Sequence, residues 1–267
     1  MPDPRRKRLQ FGLGTLLLAV TLFAVWLAMV VNRVNGQKRS VAEIVKAGGR
    51  IQFDYQRDPA GQRIPDAEPP APVWLRKLMG ADYFRKVVVV DFATPSSGPS
   101  KVNGEGLSCF ESLPDVEWID LDQNRAVADE GLVHLRNLKN LRVISMYRCN
   151  VSGVGFVHLA QLPHLQRLAL SYTPLTPDGV AQLGKLRTLE SLSMAHTAIT
   201  DDDLAALTSL RNLKLLWIDN TAVTDRGLAH IERLTALESL SLPAGISDAG
   251  LERIQNALPH CQIRRVK

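Results

Sequence analysis

The chain of 267 residues is long enough for one or two domains with a sizeable core, and its 45% hydrophobic and 22% charged residues are typical of a folded protein. Its net charge of +5 comes from a basic excess in residues 1–83, whereas residues 84–267 are nearly neutral. A nucleic-acid-binding protein would carry that excess on its folded domain, so we expect no nucleic-acid partner.

The first predicted element is an apolar helix that follows a basic tail at residues 1–10. Phe11–Val31 contains no charged residue, and at about 1.5 Å per residue its helix is about 31 Å long, enough to cross the hydrocarbon core of a bilayer. The alternative is a cleaved signal peptide, whose apolar region would be shorter and would end in small residues. Because bulky Trp26, Leu27 and Met29 lie near the end of this segment, we predict a retained transmembrane helix that contacts the lipid bilayer.

The charges that flank this helix indicate its orientation. Four basic residues at positions 5–8 precede it, and Arg33, Lys38 and Arg39 follow it closely. Positive charge is enriched on the cytoplasmic side of membrane proteins, which favours a cytoplasmic N-terminus here. We therefore predict a single-pass protein of the cytoplasmic membrane whose folded region lies on the extracytoplasmic side.

Several short elements are predicted between this helix and residue 84. Residues 32–39 are predicted to be a juxtamembrane linker, and Ser40–Lys46 is predicted to be a short helix. Arg50–Tyr55 alternates between apolar and polar residues as a strand does. A proline-rich segment follows and predicts an exposed loop, and Val73–Met79 predicts another helix.

The second half of the chain repeats a pattern of 24 residues, LxxLxLxxTxITDxGLxxLxxLxx. Six copies, the first two slightly irregular, begin at Val116, Leu141, Leu165, Leu189, Leu213 and Leu237. A repeat of this length predicts a solenoid. Within each copy, LxxLxL predicts a strand whose fourth and sixth residues point into the core, and the second half predicts a helix.

Polar residues at two points in the repeat have predicted structural roles. The ninth position holds small residues that can bond to a turning backbone, namely Asn124, Cys149, Thr173, Thr197 and Thr221. Cys149 is therefore predicted to be structural rather than a nucleophile. The predicted helix N-caps are Thr176, Thr200, Thr224 and Ser247. The aspartates that follow them are expected to interact with the helix dipole.

These motifs resemble the leucine-rich-repeat family, in particular the variant that has ITDxGL after the strand and is related to the cysteine-containing type. The resemblance covers residues 84–267 and implies the α/β fold class, as a leucine-rich-repeat solenoid with parallel strands on the concave face and helices on the convex face. Residues 40–83 are then predicted to be an N-terminal cap with a proline-rich loop, since the first apolar layer must be covered.

Two features depart from or extend this resemblance. Asp203 replaces the usual glycine of ITDxGL, and the first and last full repeats differ by one residue in length. The order of apolar helix, GG-strand, WLRKLMG helix and repeats also resembles bacterial membrane-anchored leucine-rich-repeat proteins. That looser resemblance implies no activity.

No motif for catalysis or cofactor binding is recognisable. The sequence contains no phosphate-binding glycine loop, zincin motif or nucleophile elbow. His134, His158 and His230 recur at one position of the helical side without a third ligand, so they are expected to face solvent rather than bind a metal. The three cysteines are widely spaced and odd in number, which argues against a disulfide framework. We expect no enzyme activity, no metal and no cofactor.

Candidate binding residues come from strand positions three, five, seven and eight, which are predicted to face the concave surface. They are Trp118, Asp120, Asp122, Tyr147, Arg148, Arg167, Tyr172, His196, Trp217, Asp219 and Asn220. Exposed aromatic residues together with arginine are typical of binding hot spots. We expect the two tryptophans and two tyrosines among them to form one stripe, although large side chains can also serve only to shield strand backbone.

Two functions fit these predictions. The first is a membrane-anchored scaffold that binds a protein or peptide through the concave face of the solenoid. The alternative is a structural envelope protein that packs laterally through its repeats. The fold class does not by itself identify a ligand.

Overall fold

Nine strands form a single sheet in the computed structural model, which describes residues 13–58, 62–93 and 102–266. The predicted basic tail and the first two residues of the predicted transmembrane helix lie outside the described residues. The strands are β1 (Arg50–Phe53), β2 (Val87–Asp91), β3 (Trp118–Asp120), β4 (Val143–Ser145), β5 (Arg167–Ala169), β6 (Ser191–Ser193), β7 (Leu215–Trp217), β8 (Ser239–Leu242) and β9 (Gln262–Arg265). The strands follow chain order, with β1 antiparallel to β2 and every later pair parallel.

Helices and 3₁₀ turns lie between these strands. The α-helices are α1 (Leu13–Lys46), α2 (Val73–Met79), α3 (Pro177–Leu183), α4 (Leu204–Leu207), α5 (Leu228–Ile231) and α6 (Asp248–Ala257). The 3₁₀ segments are Asp54–Gln56, Ala81–Phe84, Glu105–Ser112, Asp129–Leu135 and Val154–His158.

The strands pair in the register that the 24-residue period predicts. Fourth-position residues face each other across the sheet in the order Ile119, Ile144, Leu168, Leu192, Leu216 and Leu240. All six are at most 2% exposed. Adjacent strands lie about 4.8 Å apart, so these side chains pack into one continuous apolar core. The predicted parallel solenoid and its buried strand face are confirmed.

The convex side contains less α-helix than the pattern predicted. The early crossovers form 3₁₀ turns, and α4 and α5 have only four residues each. The predicted N-caps Thr200 and Thr224 are wrong, because α4 and α5 begin several residues later without a side-chain cap.

The two longest convex helices begin with the predicted caps. Thr176 Oγ1 accepts a hydrogen bond from the Gly179 N–H at 3.2 Å, and Ser247 Oγ accepts one from the Gly250 N–H at 3.0 Å. Each cap satisfies a backbone donor that the first turn of a helix leaves without an intrahelical partner.

Aspartates at the start of the convex segments bind the backbone of the following repeat. The Asp129 carboxylate accepts hydrogen bonds from the N–H groups of Ser152 at 2.7 Å and of Gly153 and Gly155 at 2.9 Å. Asp201 accepts bonds from the N–H and hydroxyl of Thr224 at 2.8 and 2.7 Å. The sequence pattern assigned Asp201 to the dipole of its own helix, whereas here Asp201, like Asp129, joins neighbouring repeats.

Helix α1 is continuous from the apolar segment into the folded region. The predicted linker at residues 32–39 is helical, because no proline interrupts it and Gly36 packs closely against Ser112. The residues Leu16–Met29 are largely exposed, and the helix is long and apolar enough to cross a membrane by length and composition.

The second half of α1 packs on the first turn of the solenoid. Val34, Gln37, Ser40 and Ile44 are buried at the three- and four-residue spacing of one helix face. Strand β1 follows and pairs with β2. Together, α1 and β1 cover the end of the apolar core, which would otherwise contact water.

The last strand is shifted by one residue from its predicted register. A 24-residue period counted from Leu237 places Arg264 at the buried fourth position of the next strand, but Ile263 pairs with Leu240 and Arg264 lies exposed beside Ser241. The sixth repeat is one residue shorter than the 24-residue period, which moves the arginine to the open face.

Replacing Asp129 should destabilise the solenoid, because three N–H groups of the next repeat would lose their acceptor. Unpaired buried donors cost about 1–3 kcal/mol each, so we expect Asp129→Ala to lower the free energy of unfolding by at least ~2 kcal/mol. Thermal unfolding followed by circular dichroism measures this.

The matched control is Asp202→Ala. Asp202 is exposed and forms only a surface ion pair with Arg226, so its loss should change stability by less than about 0.5 kcal/mol. Equal unfolding temperatures for the two variants would contradict the structural role of Asp129.

Candidate functional site

The concave face displays side chains from alternate strand residues. Trp118, Asp120 and Trp217 are half-buried, whereas the fourth- and sixth-position residues beside them are buried in the core. Arg167 is exposed at the start of β5. The strand period of two thus places these side chains on the open side of the sheet, as the pattern predicts.

Residues at position eight have a left-handed backbone in five successive repeats. Their φ angles lie between 54° and 65°, at Gln123, Arg148, Tyr172, His196 and Asn220. This conformation costs a non-glycine residue about 1–2 kcal/mol, so the surrounding structure must impose it. The residue at position nine forms a hydrogen bond within this turn. In the third repeat, for example, Thr173 is buried and its Oγ1 donates a hydrogen bond to the Leu170 carbonyl at 2.5 Å. The turn therefore fixes the direction in which each position-eight side chain leaves the sheet.

Four of the candidate residues form a contiguous group, which we call the aromatic ladder: Tyr147, Arg148, Tyr172 and His196. The tyrosine rings meet edge to face with centroids 5.2 Å apart, and Tyr172 stacks on His196 at 4.0 Å with 13° between the planes. The Arg148 guanidinium lies 5.0 Å from the Tyr147 ring centroid and 4.8 Å from that of Tyr172. These distances are typical of aromatic and cation–π contacts.

The aromatic ladder borders an open hollow past the carboxyl ends of the strands. This hollow of about 900 Å³ is lined by Arg148, Tyr172 and His196 together with residues nine and ten of their repeats. Arg125 adds a second guanidinium to the lining. At the far end, Asn220 Nδ2 lies 3.2 Å from His196 Nε2.

The two tryptophans of the predicted stripe lie apart from this ladder. Trp118 is in the first repeat strand, where the Arg57 guanidinium lies 5.7 Å from its ring centroid. Trp217 is in β7, which is three strands away from β4, and Tyr147 lies in the turn just after β4. The structure thus brings the tyrosines together and divides the predicted stripe into three regions.

Trp217 lines a second hollow, of about 580 Å³, at the C-terminal end of the concave face. Asp219, Ser241, Gln262 and Arg264 also line it. Arg264 and Gln262 were not among the candidate residues, because the period of the repeat placed Arg264 in the framework. The one-residue deletion in the sixth repeat was the available signal.

The acidic candidates are bonded to the neighbouring repeat. Asp122 accepts hydrogen bonds from the Ser145 hydroxyl at 2.5 Å and from the Tyr147 N–H at 2.9 Å. Asp219 accepts one from the Ser241 hydroxyl at 3.0 Å. The two serine bonds join position seven of one repeat to position five of the next.

Asp120 lies among like charges on the concave face. Burial raises its pKa from 3.8 to about 6, and the charges of Asp122 and Asp91 act in the same direction. The Asp122 N–H, which donates to Asp120 Oδ1 at 3.0 Å, opposes this shift. Asp120 is therefore partly protonated just below neutral pH.

The cysteines and the recurrent histidines have structural surroundings. Cys109, Cys149 and Cys261 are free and buried, and burial raises the pKa of Cys149 to about 12, which keeps the thiol protonated at neutral pH. Cys149 Sγ donates to the Leu121 carbonyl at 3.0 Å, in line with its predicted structural role. His134 is partly exposed at the surface and is bonded to Glu111 at 2.7 Å. Within the described ranges, no group of three potential ligands is placed to hold a metal ion.

Asp120→Asn should make the protein more stable at neutral pH. The folded state binds this proton more tightly than the unfolded chain, so wild-type stability falls as pH rises from about 4 to about 6. Asparagine keeps an oxygen that can accept the Asp122 N–H but carries no charge. We expect a higher melting temperature than wild type at pH 7.5 and little difference at pH 4. A difference of the same size at both pH values would contradict the raised pKa.

Comparisons with known proteins concern the repeats. The family model described as Leucine Rich repeat matches residues 161–184 and 185–207. No curated protein sequence matches the chain.

Solved structures that are similar to this chain include two bacterial proteins. One is a leucine-rich-repeat protein of Leptospira interrogans, with 24% identity, a TM-score of 0.43, and 58% of this chain aligned to 44% of that one. The other is internalin C2 of Listeria monocytogenes, with 19% identity, a TM-score of 0.47, and 60% of this chain aligned to 66% of that one. The chain thus spans less than two thirds of the length of either protein.

The matched residues 161–207 lie in the middle of the parallel strand array, and the same register extends to the repeats on both sides. The repeat region of this chain is therefore a leucine-rich-repeat solenoid.

Proposed function

We propose that this protein is a membrane-anchored interaction scaffold that binds a protein or peptide through the concave side of its solenoid. The observation that carries the proposal is the aromatic ladder, in which two tyrosines, a histidine and an arginine are in contact across three repeats. Tyrosine and arginine are enriched among the residues that dominate binding energy.

The aromatic ladder is organised before any partner binds. Tyr172 is 39% exposed, yet it packs against three neighbouring side chains and its backbone is held in a defined turn. A side chain that is already ordered loses little conformational entropy on binding. The ladder can therefore contribute aromatic contact area at low entropic cost.

The charges around the ladder favour a ligand of mixed charge. Arg148 and Arg125 line the hollow beside it, and Arg167 is exposed on β5. Asp120 and Asp219 lie toward opposite ends of the concave face, and the latter is already bonded to Ser241. A peptide with an acidic and an apolar side chain would fit the central ladder better than a polyanion would.

The membrane part of the proposal rests on the exposed apolar half of α1. The first half of α1 has large apolar side chains that are exposed, namely Leu16, Leu17, Leu18, Leu22 and Phe23. Only the second half of the helix packs against the solenoid. Burial of such a surface in hydrocarbon is favourable by about 25 cal/mol per Å². The bilayer would therefore supply the partner that this half of the helix lacks within the described chain.

A structural envelope protein is the second candidate, and the convex surface favours it. Val154 and Val157 are 49% and 48% exposed on the same 3₁₀ segment. Two neighbouring exposed valines on the convex side provide a small apolar surface through which solenoids could pack laterally.

Site-specific photo-crosslinking in the membranes of cells that produce the full chain distinguishes these functions. A photoreactive residue at position 172 should yield adducts with a different protein under the first proposal, and one at position 157 should yield adducts of the chain with itself under the second. Tyr172→Ala should then lower the affinity for the crosslinked partner by about 30-fold, which is ~2 kcal/mol.

The matched control is Val157→Ala, which removes exposed apolar surface from the opposite side. It should leave partner affinity unchanged, and both variants should remain folded at the temperature of the binding assay. Trp217→Ala tests the second hollow in the same assay, although its half-buried ring also contributes to packing. Partner affinity that falls for Val157→Ala and not for Tyr172→Ala would overturn the concave-face proposal.

Measuring the intact mass of the protein tests whether the transmembrane helix is retained rather than cleaved. We expect the intact mass of protein extracted from membranes to include residues 1–39, because bulky residues occupy the place where a signal peptidase would need small ones. A mature N-terminus near residue 30 would contradict the anchor and leave the solenoid soluble.

A further inference from the structure

Helix α2 presents its large apolar residues outward. Trp74 is 67% exposed and Leu78 is 76% exposed, and Val73 and Met79 are also exposed. The helix has no fully buried residue. Its partly buried Arg76 bonds to exposed Glu68 at 2.6 Å. A helix of seven residues is marginal in water, and here its apolar residues do not contribute to the core.

The segment Ala81–Phe84, which follows α2, lies beside the residues of α1 at which its apolar part ends. Tyr83 and Phe84 line a cavity of about 240 Å³ together with Val30 and Arg33. Lys38 forms an ion pair with Asp82 at 3.1 Å. Gly80 alone separates α2 from this segment. The C-terminal end of α2 is therefore close to the part of α1 where the predicted transmembrane helix ends.

We propose that α2 is an interfacial helix that inserts Trp74 and Leu78 into the membrane beside the transmembrane helix. This inference rests on the proposed membrane anchor and assigns a second contact with the bilayer. The apolar face of such a helix is buried about 5–10 Å into the boundary between headgroups and acyl chains. A lipid surface is the occupant because the exposed apolar face adjoins the end of an apolar span.

The composition of α2 matches the chemistry of that boundary. Tryptophan is enriched where headgroups meet hydrocarbon, because its ring is amphipathic. Trp74 and Leu78 are four residues apart and so share one helix face. Exposed Lys77 is next to them and has a long apolar stem, so its ammonium group can reach anionic headgroups while the stem covers hydrocarbon.

A second contact would fix the solenoid relative to the membrane. One helix alone leaves the attached domain free to tilt relative to the bilayer. The second half of α1 is packed on the solenoid, and Asp82, two residues after Gly80 at the end of α2, is paired with Lys38 of α1. A second contact beside the span would limit this tilt, so the aromatic ladder would keep a constant orientation to the bilayer.

Nitroxide labelling of the full chain in vesicles of phosphatidylcholine and phosphatidylglycerol tests this proposal. Labels are attached to Leu78→Cys in α2, Leu18→Cys in the apolar half of α1 and Glu252→Cys on exposed α6, while the native cysteines are buried and protected. Collision rates with O₂, which concentrates in lipid, are compared with those of a water-soluble nickel chelate.

We expect the labels at positions 18 and 78 to collide mainly with O₂ and the label at position 252 to collide mainly with the nickel chelate. A label at position 78 that behaves like that at position 252, while position 18 remains in lipid, overturns the interfacial helix and leaves the anchor intact. An immobile label at position 78 that is shielded from both reagents would place α2 against protein and also overturns it. A label at position 18 in water instead refutes the anchor itself.

Discussion

Bonding between successive repeats is the interaction on which the rest of this structure depends. One repeat cannot bury both its strand and its convex segment, so it is stable only against a neighbour. The apolar core supplies most of that contact, but side chains also connect the repeats. Asp129 holds three N–H groups of the next repeat, and Asp122 holds the next strand through Ser145. Parallel strand pairing sets the distance of about 4.8 Å between neighbouring repeats, and these side-chain bonds stabilise the stack.

The same stacking determines which surface groups remain available. Asp122 and Asp219 are occupied by bonds to the next repeat, so they contribute less free charge than their number implies. The position-eight side chains leave the sheet through a left-handed turn and meet along its edge. Tyr172 can therefore stack on His196 although 24 residues separate them in sequence. A surface of this kind is ordered because a left-handed turn in each of five successive repeats fixes the direction of one of its side chains.

Capping extends the same requirement to the N-terminal end. The core of the solenoid ends in an apolar layer, and α1 with β1 covers it. Since α1 is one continuous helix, the element that closes the core is also the element that carries the exposed apolar segment. Any movement of that segment would therefore be transmitted to the first repeat without a flexible joint.

The sequence alone determined the features that depend on local period. The 24-residue repeat predicted the parallel strands, the buried fourth position and the bonded ninth position, because these follow from spacing and side-chain chemistry. Only the tertiary structure decided that the linker at residues 32–39 is helical and that Asp129 binds the next repeat. The tertiary structure also decided that Tyr147 and Tyr172 meet while Trp118 and Trp217 remain apart. Those outcomes depend on distances between residues far apart in the chain, which the period of a single repeat does not contain.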